Sequence, residues 1–302
     1  MQINELVSVI ITTYKRPVEI LSRAVDSVLK QSWKDLELIL VNDWPEDPEL
    51  AAKIRDMVDA LGDERVRLIE HTRNLGSNAA RNTGLAAAKG EYVAFLDDDD
   101  TWTPEKLARQ LEAFRRCPEA AMVYGSFDNE ERDGSVRRVK ARPGPLALEQ
   151  LLLSNVVGPT SFPLMKTAVL RELGSFDPEQ KSSQDYELWL RFASAYPVIG
   201  IGDCMGKRYY SADSVFHRSN ERFYAGKRRI LEKYRDSYRA FPRVHSNHLL
   251  NMFLYALRSR DYGVALRYKL DAWRAEPGNP NNLLPVLLYG KLRARGADKR
   301  GD

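Results

Sequence analysis

The chain has 302 residues, with 46 Lys and Arg against 42 Asp and Glu for a net charge of +4, and 43% of it is hydrophobic, an ordinary composition for a soluble globular protein. Its two cysteines, Cys117 and Cys204, have neither metal-ligand spacing nor the density of a disulfide framework, and no apolar run approaches the roughly 18 residues of a membrane span. The charge is uneven: residues 1–200 carry 25 basic and 32 acidic side chains, a net −7, whereas residues 201–302 carry 21 and 10, a net +11.

The N-terminus enters a strand pattern directly, without the basic segment and apolar stretch of a signal peptide, so a cytoplasmic setting is expected. Residues 6–13 (LVSVIITT) form a nearly continuous apolar run, as expected of a central parallel strand covered on both faces. A helix follows, with Leu21, Ala24, Val25 and Val28 at helical spacing. Residues 36–41 read as a second strand ending in the turn Asn42-Asp43-Trp44-Pro45. Residues 48–61 read as a helix closed by Gly62, residues 66–69 as a third strand, and residues 79–88 as a short helix stopped by Gly90. Strand four, residues 91–96, delivers four acids in a row, Asp97 to Asp100. A helix is expected next, with Thr103 as N-cap and Pro104 at the first helical position. This alternation predicts a parallel α/β sheet with right-handed crossovers.

Adjacent carboxylates repel, and a fold tolerates four of them where a cation or solvent answers the charge. They stand at the carboxyl end of a buried strand, where open α/β sheets bind ligands, and Thr13, Tyr14 and Asp43 end the neighbouring strands. No Gly-x-Gly-x-x-Gly follows the first strand and no Walker lysine loop is present, which speaks against hydride-transfer dinucleotide enzymes and P-loop NTPases. Carboxylates hold phosphate only through a bridging divalent metal, and Mg²⁺ or Mn²⁺ on one or two carboxylates plus substrate phosphates fits the chemistry of hard cations.

Further along, residues 122–126 read as a strand and residues 129–139 as a hairpin with Asp133-Gly134 at its tip. Residues 155–164 are broken by Gly and Pro, and residues 198–201 are expected to form an edge strand. Residues 227–241 form a basic amphipathic helix, and residues 247–257, 262–275 and 283–292 further helices. The basic tail points to an anionic partner, a membrane surface or a nucleic acid, or to a solvated helical face.

Four strings in order, VSVIITTYKRP, LELILVND, NAARNTGLAAAKGEYVAFLDDDDTW and SSQDYELWLRFA, resemble a bacterial family 2 glycosyltransferase of the GT-A fold. The resemblance implies a Rossmann-like, mainly parallel sheet with a C-terminal helical extension. It divides the chain into a glycosyltransferase domain at 1–215 (nucleotide-binding half 1–103, acceptor half 104–215) and a basic helical region at 216–302. It further implies an inverting transferase that uses a nucleoside-diphosphate sugar, a UDP-sugar above others, and Mn²⁺ or Mg²⁺. The acceptor is expected to be a hydroxyl of a glycan, glycolipid or glycoprotein, in surface polysaccharide synthesis. Peripheral contact with an anionic membrane is expected of the C-terminal helices; nucleic acid is not.

By the same resemblance, Asp97 and Asp99 match the Asp-x-Asp motif and are expected to hold the metal. Thr13, Tyr14, Asp43, Arg81, Asp97 and Asp98 are expected at the nucleotide, with Asp43 reading the base edge. Asp185 is expected to be the general base. The chain departs from the family pattern at Thr12 and Lys15, and at Trp44-Pro45-Glu46 after Asp43, all near the nucleoside. Alternatives stay open: Tyr14 as strand-end packing, Asp43 as a turn residue, Arg81 paired with a surface acid, and Ser182 with Asp185 as a near capping box. His217 stands either as a further metal ligand or as an ordinary histidine. A sugar-phosphate nucleotidyltransferase and a non-catalytic binding protein remain the alternative functions.

Overall fold

The structure, a computed structural model, describes residues 5–210 and 220–282. The expected helix at 283–292 and His217 lie outside the described residues. The first compact unit comprises Met1–Leu146, Val157–Pro178 and Gln184–Ser211; the second comprises Ala147–Val156, Glu179–Ser183 and Ala212–Asp302.

The first unit is built on one sheet. It opens with β1 (Val7–Thr13), α1 (Val18–Leu29), β2 (Leu36–Asn42), α2 (Pro48–Leu61), β3 (Val66–Glu70), α3 (Ser77–Ala87) and β4 (Tyr92–Asp97). The strands pair parallel in the order β3-β2-β1-β4. β1 is buried on both faces, as its unbroken apolar run demands. The buried face of α1 is the expected set Leu21, Ala24, Val25 and Val28, and α2 ends at Gly62, whose φ of 56° suits a residue without Cβ.

The rest of the sheet departs from the sequence reading. After the acids comes β5 (Thr101–Trp102), then α4 (Lys106–Arg116), β6 (Met122–Glu130), β7 (Val136–Val139) and β8 (Gly144–Pro145). α5 (Leu148–Leu153) belongs to the second unit; β9 (Leu164–Lys166), α6 (Thr167–Glu172), α7 (Gln184–Ala195) and β10 (Val198–Arg208) complete the first. β9 lies between β4 and β6, antiparallel to both. β10 is no edge strand: it runs 11 residues, parallel to β6, and its far side pairs antiparallel with β5 and β8. Thr103 is not the N-cap of α4. Its backbone N–H continues the β5–β10 pairing by donating to the Met205 carbonyl, and its hydroxyl donates to the Cys204 carbonyl, so the helix starts at Lys106, two residues later than expected.

In the second unit the basic stretch read as one helix breaks at Tyr234 into α8 (Asn220–Lys233) and α9 (Arg235–Arg239). α10 (Pro242–Arg258) and α11 (Tyr262–Ala275) pack as a hairpin. The Tyr238 hydroxyl lies 3.2 Å from Nδ1 of His248 inside this unit.

Candidate active site

The site grows from the register of the central strands. Thr12 of β1 stands opposite Asp97 of β4, which sets Thr13 beside the first turn of acids. The four carboxylates then divide by direction. Asp98 and Asp100 turn inward and are buried. Asp98 accepts from the Thr13 hydroxyl at 2.8 Å on Oδ2 and from Arg16 Nε at 2.8 Å on Oδ1. Asp100 accepts from the Ser161 hydroxyl at 2.6 Å and from the Tyr209 backbone N–H at 3.2 Å. Ser161 also accepts the Asp97 N–H at 3.2 Å, so one hydroxyl ties both ends of the acidic turn.

Asp97 and Asp99 keep side-chain exposures of 35% and 22%. Each is met by an arginine: Arg81 Nη2 donates to Asp97 Oδ1 at 2.8 Å, and Arg16 Nη2 donates to Asp99 Oδ2 at 2.8 Å. Arg23, on α1, donates to the Asp99 carbonyl at 2.9 Å and lays its guanidinium 3.8 Å from the centre of the Tyr209 ring.

Two arginines do not offset four crowded acids. Burial pushes the Asp98 carboxyl up to about 6, against the pull of Arg16 and with Asp99 adding to the rise. Burial and then the charge of Asp97 raise Asp99, and burial with Asp97 and Asp99 raises Asp100 well above the carboxylate range. Burial works against the charge on Arg16, but Asp98 and Asp99 outweigh it and hold its pKa above the usual value. The site therefore carries surplus negative charge at two partly exposed hard oxygen donors, a set that fits a divalent cation of the Mg²⁺ or Mn²⁺ kind. Among the described residues no three His, Cys, Asp or Glu side chains converge as a complete cage. Mg²⁺ characteristically takes one or two carboxylates and completes its shell with phosphate and water.

Beside the acids, the ends of β1 and β2 carry an aromatic pair. Tyr14 is exposed and meets Trp44 edge-on with centroids 5.0 Å apart, and Lys15 Nζ sits 3.9 Å from the Trp44 ring centre. Asp43 is buried, and both of its oxygens are engaged. Oδ1 lies 2.7 Å from His71 Nδ1 and accepts the Leu75 N–H at 2.8 Å; Oδ2 accepts the Gly76 N–H at 2.8 Å. His71 Nε2 lies 2.9 Å from the Thr83 hydroxyl on α3. Asp43 thus holds the loop that launches α3, the helix that carries Arg81.

Asp185 stands in the first turn of α7, where its Oδ1 accepts the Tyr186 N–H at 2.7 Å. The capping-box alternative does not hold, because the helix opens at Gln184 and the Ser182 hydroxyl donates to the Arg222 carbonyl instead. Arg81 pairs with an acid of the cluster rather than with a remote surface acid.

The structure therefore brings Thr13, Arg81 and Asp97 to Asp100 together, with Tyr14 and Asp43 on the adjoining strand ends. Sequence reasoning missed Arg16, Arg23, Ser161 and Tyr209. Arg16 had a signal, since it lies three residues beyond a strand that pairs with the acidic one; Arg23 lies on α1, whose periodicity marks its buried face but not what its polar face meets, and Ser161 and Tyr209 come from parts of the chain with no periodic pattern.

The fold and this strand-end site define a glycosyltransferase of the GT-A class. The crystal structure of Staphylococcus aureus TarS 1-349 in complex with UDP-GlcNAc shares the fold, with a TM-score of 0.67 over 91% of this chain and 82% of that one at 18% identity. The chain belongs to glycosyl transferase family 2, whose family model matches residues 8–174. Among its relatives, the putative colanic acid biosynthesis glycosyl transferase WcaA of Escherichia coli K12 is 30% identical over 65% of this chain and 69% of its own length. The Escherichia coli UDP-Glc:alpha-D-GlcNAc-diphosphoundecaprenol beta-1,3-glucosyltransferase WfaP is 31% identical over 63% of this chain and 71% of its own. Of two further curated relatives the chain spans 64% and 20% of the length.

Proposed function

We propose that this glycosyltransferase moves a sugar from a UDP-sugar to a hydroxyl of a lipid-linked or growing glycan acceptor at a membrane surface, with inversion at the anomeric carbon. The observation that carries the reading is the acidic turn at the end of β4, with Asp97 and Asp99 directed outward and an arginine on each. The UDP-sugar named for WfaP and the UDP-GlcNAc bound to TarS support the choice of donor, and the diphosphoundecaprenol in the name of WfaP supports a lipid carrier.

In this reading Asp97 and Asp99 hold a divalent cation, which when bound supplies Lewis-acid stabilisation of the departing diphosphate. Arg81 and Arg16 then have phosphate oxygens to exchange for carboxylate oxygens, and Arg forks suit both. Asp98 and Asp100 brace the turn from below. Tyr14 and Trp44 offer ring surface to the base, while Asp43 shapes the loop beside it. Asp185 accepts the proton of the acceptor hydroxyl as that oxygen attacks the anomeric carbon on the face opposite the diphosphate. Charge develops on the sugar as in an oxocarbenium ion.

Calorimetric titration of UDP, GDP and dTDP with Mn²⁺ and then with EDTA tests the donor and the metal. UDP should bind with Mn²⁺ and lose most of that affinity in EDTA; no binding of any of them, with the protein folded, would sink the reading. Asp185→Asn should lower transfer by at least about 10²-fold, the scale of general-base catalysis, and leave UDP affinity within about twofold. Retained turnover in that variant would remove Asp185 from the role of base.

A further inference from the structure

The last described α-helix is amphipathic in an unusual sense, because its apolar stripe faces outward. α11 packs Ala265 and Ala272 inward, with Tyr268 half-buried beside them. On its open side Tyr262, Leu266, Leu270 and Trp273 are 67%, 60%, 46% and 56% exposed. Their spacing of four, four and three residues aligns them in one stripe along the helix. An exposed Leu is ordinary; a run of four large apolar side chains on one face is not.

What borders the stripe identifies its partner. Arg267 and Arg274 are exposed alongside it, and Arg258 and Arg260 are exposed just before the helix. Two acids stand in the same stretch, Asp261, which caps the helix by accepting the Val264 N–H, and Asp271, which pairs with Arg274, so the four arginines leave a surplus of two positive charges. The stripe thus sits in a basic rim, within a region of the chain that carries a net +11. Two copies meeting face to face would press like charges together. A surface that is apolar within and anionic at its boundary complements both parts. Tyr and Trp at the ends of a Leu-centred stripe, with Arg at the flanks, is the composition of a helix lying in a headgroup layer.

We propose that the outward face of α11 is a docking surface for an anionic lipid bilayer. The helix lies in the interface, with Leu266, Leu270 and Trp273 entering the acyl boundary and the flanking arginines meeting lipid phosphates. This rests on the reading that the acceptor is presented at a membrane, and it is tested without any sugar substrate.

The experiment is co-sedimentation of the full chain with vesicles of phosphatidylcholine alone and of phosphatidylcholine with phosphatidylglycerol. The wild type should partition onto the anionic vesicles at least about tenfold more strongly than onto the neutral ones. Raising salt to roughly 0.5 M should weaken this binding without abolishing it, since only the charged rim is screened and the apolar stripe remains. The variant Leu266→Ser/Leu270→Ser/Trp273→Ser should lose binding by about tenfold or more while keeping the wild-type melting temperature, because all three side chains are exposed. Absence of wild-type binding, equal binding by the triple variant, or a dimer in light scattering that the triple variant dissolves would each overturn the proposal. UDP titration on the same preparation keeps the two readings apart: intact UDP binding with no vesicle binding refutes the docking surface alone.

Discussion

Consecutive acids alternate in direction at the end of β4, and that alternation assigns them different work. Asp98 and Asp100 are consumed by Thr13, Arg16, Ser161 and the Tyr209 backbone. Asp97 and Asp99 remain at the surface, each tied to an arginine that phosphate can compete for. Replacing Arg16 by Ala should therefore change two affinities in opposite directions. Free Mn²⁺, followed by electron paramagnetic resonance, should bind about tenfold more tightly or better, because an Arg–carboxylate bond of about 1.5–3 kcal/mol no longer competes at Asp99. UDP in the presence of Mn²⁺ should bind more weakly. Asp99→Ala should instead reduce both affinities. At this scale the sequence was readable wherever a strand end placed a residue, as for Thr13 and the acids, while Arg81, on α3, was expected beside them through the family resemblance. Asp43 was legible as a strand-end acid, but not as the anchor of the Leu75 and Gly76 amides, because a loop's return path leaves no periodic trace. Arg16 was written into a turn whose geometry only the β1–β4 register reveals.

Among the elements, α4 carries an unusual cost at its first turn. Lys106 is fully buried; its ammonium donates to Gln110 at 2.8 Å and lies 3.9 Å from the centre of the Trp102 ring. Burial drives its pKa well below the ordinary lysine value. The unfolded chain therefore holds a proton that the folded chain releases more readily, and folding stability rises with pH between the depressed folded value and the unfolded value near 10.5. Thermal melts across the neutral-to-alkaline range should show this rise in the wild type and a flatter profile in Lys106→Met. A Cβ on Gly206 would meet the Thr101 carbonyl oxygen at 2.1 Å, so Gly206→Ala must push β5 away from β10. Overpacking of this kind costs about 1–3 kcal/mol, which denaturant titration would detect, and it should also loosen the acidic turn and weaken Mn²⁺-dependent UDP binding. The parallel strands were legible because continuous apolar runs between helical periods have few other readings. β5 and β9 were not: two and three residues long, they are strands only because β10 and β4 supply their partners.

The molecule as a whole separates its charge, with −7 in residues 1–200 and +11 in residues 201–302. Long-range attraction of a basic region to an anionic surface is a rate effect that fades once the Debye length falls to a few ångströms. Transfer to a vesicle-borne acceptor should accordingly show an apparent KM that climbs several-fold as salt rises from roughly 0.05 to 0.3 M. A soluble acceptor of the same sugar should show little change, and equal salt dependence for the two would remove the surface from the reaction.

The position of β10 has a consequence for the chain as it is made. β1 to β4 pair among themselves and lie within the first 97 residues, so a ribosome releases a nearly complete half-sheet early. The acidic turn that follows is not finished with them. Thr13, Arg16, Arg23 and Arg81 are already made by then, but Asp100 and the short strand after it are held by Ser161, the Tyr209 amide and the pairing of Thr101–Trp102 with Gly206–Lys207, all supplied by later chain. A nascent polypeptide released before Tyr209 therefore carries Asp100 and Thr101–Trp102 beyond the end of β4 with no return strand to pair with them. The acidic corner closes only when β10 pairs, through contacts spanning over a hundred residues, the long-range kind whose loop closure is entropically costly.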